Sequence, residues 1–145
     1  MLIKPQSSVS RVVDENGEPK IKMYSAMARH YEDEAIKDLI LGVEVVNEDL
    51  LDDGFYTEMF PEKIMGSPQI KATKNNETIF VGVLTSRYPQ SESRIKDTFK
   101  TELIKEYNGC LYMAEVGLWY VGDEETGEPS FFVNYRGLKR LFLEL

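Results

Sequence analysis

Residues 110 to 121, "CLYMAEVGLWYV", are apolar on both alternating faces except at Glu115. A run of that kind reads as a strand that is well covered, and it constrains the rest of the chain to supply the cover. "GDEETGEP" then offers turn chemistry and leads into the alternating "SFFVNY", giving a hairpin. Earlier, "PQIKATK" and "ETIFVGVLTSRY" flank the Asn-Asn of residues 75 and 76 and read as a second hairpin. "ENG" between Ser8–Asp14 and "KIKMY" suggests another at the start.

Two segments carry helical spacing. Ala28, Tyr31, Ala35 and Leu39 recur at steps of three and four within residues 25 to 41, with Gly42 as the expected C-cap. Ile95, Phe99, Leu103 and Tyr107 form a stripe between Ser91, a good N-cap, and the stop at Asn108 and Gly109. "VEVV" reads as a short strand and the residues after it as loop with helical turns, because Gly54 and Pro61 break the pattern. Leu138, Leu141, Phe142 and Leu145 suggest a short C-terminal helix. The expected fold is α+β: one compact domain over residues 1–145, a mainly antiparallel sheet built from hairpins, two principal amphipathic helices and a short terminal one.

The stretches "DENGEP" and "DEETGEP" resemble each other, but acidic residues, Gly and Pro are what hairpin turns favour. Tyr24 and Tyr135 also stand one residue out of register relative to the two glycines, so a duplicated site is not implied.

Several chemistries are excluded or thinly supported. A single cysteine, Cys110, permits no internal disulfide framework and fits a reducing compartment; cytoplasm is expected, including that of a host cell if the chain is virus-encoded. No apolar run is long enough to span a bilayer, and Lys4 and Pro5 interrupt what a signal peptide needs. One histidine, His30, and one cysteine give no Cys/His zinc set, and each reads as an ordinary surface or filler residue. If Gly54 were the sixth position of a calcium loop, Leu51 and Phe60 would fall where oxygen ligands belong. Phosphate-binding glycine motifs are missing, so no cofactor, metal or catalytic residue is expected.

Charge gives the functional lead. The net charge is −8, which disfavours direct nucleic-acid binding. Residues 32 to 62 alone carry one basic and eleven acidic side chains. Within them Glu48, Asp49, Asp52, Asp53, Tyr56, Glu58 and Glu62 lie among Leu50, Leu51, Phe55, Met59 and Phe60. Acids interleaved with apolar anchors suit a surface that attracts a basic macromolecule and then buries contacts with it. The expectation is a non-catalytic binding protein of inhibitor, nucleic-acid-mimicking or adaptor type, with a basic protein partner. Two alternatives come from other classes. Glu115 is a carboxylate in apolar surroundings, and with Trp119 and Arg87 it could line an enzyme or ligand pocket. Exposed apolar strands and the C-terminal helix could instead make a self-associating assembly subunit, a homo-oligomer.

Overall fold

The computed structural model describes residues 16, 21–60, 68–88, 101–107, 109–122 and 129–141. Its elements run β1 (Ile21–Met23), α1 (Ala26–Arg29), α2 (Glu34–Asp52), β2 (Tyr56–Met59), β3 (Ile70–Lys74), β4 (Glu77–Arg87), α3 (Thr101–Glu106), β5 (Leu111–Tyr120) and β6 (Ser130–Arg140). Among the described residues, six strands form one sheet in the order β1-β6-β5-β4-β3-β2.

The expectation of an antiparallel sheet made of hairpins is corrected. β4 and β5 run parallel, Val83 beside Ala114 and Arg87 beside Leu118, with α3 in the connection between them. Parallel neighbours cannot be joined by a tight turn, so a crossover element is required there. The remaining neighbours are antiparallel, which makes the sheet mixed. β3 and β4 meet through Asn75 and Asn76, both at positive φ (51° and 66°), the backbone a two-residue hairpin turn demands.

The helices are corrected too. Asp33 caps α2 through its side chain, and the helix then runs for 19 residues, through Gly42 and through "VEVV". The four-residue run is rich in β-branched residues, yet Leu39, Val43, Val46 and Leu50 keep one helical face buried across it, and packing overrides propensity. Gly42 is inside the helix because a Cβ there would stand 2.3 Å from Thr85 Cγ2 and 3.4 Å from Val83 Cγ1. The gap lets α2 lie close on β4.

No terminal helix forms at Leu138, which belongs to β6. Tyr135 pairs with Val116 and Leu138 with Ala114, so Arg136 and Gly137 together face Glu115 in a bulge, with Gly137 at φ 90°. Beyond the bulge the register is regular, and Leu138 packs in the inner core while Leu141 packs in the outer one, so a three-residue step that reads as one helical face is two opposite faces of a strand. Phe142 and Leu145 lie outside the described residues, as do Ser91, Ile95 and Phe99, the two Gly-Glu-Pro stretches, Glu62 and the first strand of the expected opening hairpin.

The sheet curls around α2. Lys22 on β1 reaches Glu48, while Lys74 at the end of β3 donates to the Asp53 carbonyl, so strands toward both ends of the described order touch the same helix. The main core lies inside that curl: Leu39, Val43, Val46 and Leu50 of α2 against Ile70, Ala72, Val81, Val83, Ala114, Val116, Leu118, Phe131, Val133 and Tyr135. A smaller core on the outer face packs Ile104 and Leu103 of α3 against Phe80, Leu84, Leu111, Met113 and Leu141.

Candidate binding surfaces

Three groups of residues stand out. The first sits at the start of α2. Asp38 is 2% exposed, and Arg87 clamps it with Nε donating to Oδ2 at 2.6 Å and Nη2 to Oδ1 at 3.0 Å. The Tyr24 hydroxyl donates to Asp38 Oδ1 at 2.6 Å and accepts from Arg87 Nη2 at 2.6 Å. Arg87 also stands over the Phe131 ring at 5.0 Å and reaches exposed Glu34 at 3.5 Å. Burial, reinforced by the Asp38 hydrogen bond and charge, raises the Tyr24 hydroxyl above its ordinary range. For Arg87 burial acts downward, but the hydrogen bond and charge of Asp38 more than offset it. The cluster therefore keeps a neutral phenol between a fixed ion pair, tying β4, α2 and the segment after β1 together.

The second group is the sequence-predicted acidic surface. Glu48, Asp49 and Asp52 occupy the final turns of α2 and Asp53 its C-cap, while Tyr56 and Glu58 follow on β2. Glu48, Asp52, Asp53, Tyr56 and Glu58 are exposed and Asp49 is half-buried. Some of these charges have local partners: Lys22 Nζ lies 2.8 Å from Glu48 Oε2, and Glu58 stands opposite Lys71 across β2 and β3. Yet the last turn of α2 contains no basic residue, so its acids meet the negative end of the helix dipole. Three large apolar side chains lie exposed among them: Leu51 (50%), Tyr56 (70%) and Met59 (42%). Leu50 is instead core, and Phe55 is half-buried under Lys74.

The third group is an exposed row of large side chains on the outer face of the sheet. Trp119, Phe132 and Ile21 stand side by side on β5, β6 and β1, on the outer face beyond the reach of α3, and all are exposed. Tyr88 extends the row with its ring stacked on Trp119 at 4.0 Å and 6°. Phe131, one residue from Phe132, points the other way and is fully buried. Alternation along β6 carried this signal, since Phe131 and Phe132 cannot both face the same core.

Glu115, Trp119 and Arg87 do not form one pocket. Arg87 pairs with Leu118 on the inner face, whereas Trp119 belongs to the outer face. The Glu115 carboxylate is 57% exposed and lies 3.6 Å from Lys139, so it is a strand-surface ion pair.

Among the described residues no group of three or more His, Cys, Asp or Glu could hold a metal ion, and no helix is long and apolar enough to cross a membrane.

Residues 39–141 match the family described as Domain of unknown function (DUF8840). The chain belongs to the DUF8840 family. The DUF8840 match begins one residue after Asp38, taking in the acidic end of α2 and strands β2 to β6 and leaving Tyr24 outside. No curated protein and no solved structure matches the chain.

Proposed function

We propose that this DUF8840 chain is a non-catalytic binding protein that holds a basic macromolecular partner, as an inhibitor or adaptor does, through the end of α2 and the adjoining β2. The observation that carries the reading is the exposure of Leu51, Tyr56 and Met59 among Glu48, Asp52, Asp53 and Glu58 at a helix C-terminus lacking any basic residue. Acids there cost stability that a cationic partner would return, and the three apolar side chains supply contacts once the partner arrives. Steering by the charge makes association salt-sensitive.

Affinity capture from native lysate at low and high salt, with the Asp49→Lys, Asp52→Lys, Asp53→Lys triple variant alongside, tests it. Recovery of the same basic protein by the wild type at low salt, and its loss with the variant, is expected. A variant that retains the whole bound set contradicts the reading.

A second reading rests on the row Ile21, Phe132, Trp119 and Tyr88. An exposed apolar stripe across three strands and the residue after β4 suits self-association, as in an assembly subunit. Analytical ultracentrifugation showing only monomer at high protein concentration removes it.

A further inference from the structure

β1 and α2 enclose a half-open cleft of about 190 Å³ lined by Lys22, Met23, Ser25, Leu41, Glu44, Val45 and Glu48. Its apolar lining is Leu41 and Val45 of α2, both buried, with exposed Met23 of β1. Its two carboxylates, half-buried Glu44 and exposed Glu48, are one helical turn apart. Glu48 already holds the Lys22 ammonium at 2.8 Å. Glu44 is half-buried and has no cation within ion-pair distance among the described residues. Burial raises its carboxyl above the ordinary range, with a hydrogen bond from Ser25 and the charge of Lys22 opposing and the charge of Glu48 adding. The three charged side chains of the cleft sum to −1, so one further cation would leave it neutral.

We propose that this cleft receives a lysine side chain of the basic partner, its alkyl stem against Leu41, Val45 and Met23 and its ammonium between Glu44 and Glu48. The inference rests on the acidic-surface reading and adds to it the chemistry of one contact. Long cationic side chains bury their methylenes on apolar surface while the head stays polar, and this cleft offers both environments in that order. Lys22 shows the head-group contact within the chain itself, reaching Glu48 from β1. A guanidinium gains most from bidentate carboxylates and aromatic planes, and no aromatic residue lines this cleft. A metal ion would need more ligands than the two carboxylates present.

The test is a methyl-NMR titration of the full chain with tetralysine at low salt. Shifts of the Met23, Leu41 and Val45 methyl signals are expected. Glu44→Gln, which keeps shape and removes one charge, should weaken binding about threefold to fivefold, the range of a partly exposed ion pair. Lys22→Met, which removes the competing ammonium, should strengthen it by a similar factor. The Asp52→Asn, Asp53→Asn variant, which lowers the steering charge, should weaken binding at low salt yet still shift the same three methyl groups at saturation. Binding that moves only signals from residues 49 to 58, with Glu44→Gln and Lys22→Met without effect, overturns the cleft inference and leaves the acidic-surface reading standing. Absence of tetralysine binding altogether overturns both. Tighter binding of tetraarginine with the same methyl shifts overturns the choice of lysine.

Discussion

The two ends of α2 handle negative charge in opposite ways. At the first, Asp33 caps the helix, Glu34 reaches Arg87, and Asp38 is buried in a hydrogen-bonded pair with Arg87 and Tyr24. At the second, Glu48, Asp49, Asp52 and Asp53 crowd the negative end of the dipole, with Lys22 of β1 reaching Glu48 and Lys74 of β3 donating to the Asp53 carbonyl. Acids at a helix N-terminus stabilise it, and acids at a C-terminus oppose it. Position within one helix thus separates carboxylates the fold depends on from carboxylates that a folding requirement does not explain. The latter are the candidates for function.

Breaking the first end should have the largest effect. Arg87→Met leaves the Asp38 carboxylate buried without its cation, and a loss of about 3–5 kcal/mol in denaturant unfolding is expected. A loss below about 1 kcal/mol would mean that the clamp is a surface pair in disguise.

Gly42→Ala comes next, in the middle of the same helix. Alanine is the better helix former by about 1 kcal/mol. Here its Cβ would meet the Thr85 side chain at 2.3 Å, and a net loss of about 1–3 kcal/mol is expected. A stabilised variant would show that α2 can lift from β4 without cost.

The smallest effect separates Glu44 from its neighbours through pH. Burial, chiefly, raises its folded-state value above the unfolded one, so the folded chain holds the proton more tightly. Stability attributable to this group therefore falls as pH rises through the interval between the two values. Glu44→Gln should match the wild type below about pH 4 and exceed it slightly at pH 7, by about 2 °C or less in thermal midpoint. A variant less stable than the wild type at pH 7 would place Glu44 among the acids the fold needs.

The acidic stretch was legible in the sequence, but its division between the two ends of α2 was not, and the fold around it was only partly so. The paired Asn residues of the β3–β4 turn and the strand at 111–120 follow from composition and alternation, although that strand leaves Glu115, Trp119 and Tyr120 exposed rather than covered. The continuity of α2 does not, because β-branched residues and a glycine argue locally for a break, and only the closeness of Thr85 and Val83 explains the glycine. The parallel β4–β5 pair depends on a crossover that local pattern does not specify. The end of β6 read as a helix because Leu138 and Leu141, three residues apart, serve the two cores on opposite faces of the sheet. Asp38 was the one acid whose role could have been suspected, since it lies on the apolar stripe beside Leu39 and Ala35, but its partners are 14 and 49 residues away.

The most direct test of the central claim is a paired measurement on Asp52→Asn, Asp53→Asn: unfolding free energy, and affinity for the basic protein captured by the wild type. If the second end of α2 holds charge for binding, stability should rise by about 0.5–1 kcal/mol as repulsion from the dipole is relieved, while affinity at low salt falls. Unchanged affinity, or a loss of stability like that expected at Arg87, would contradict the distinction between the two ends.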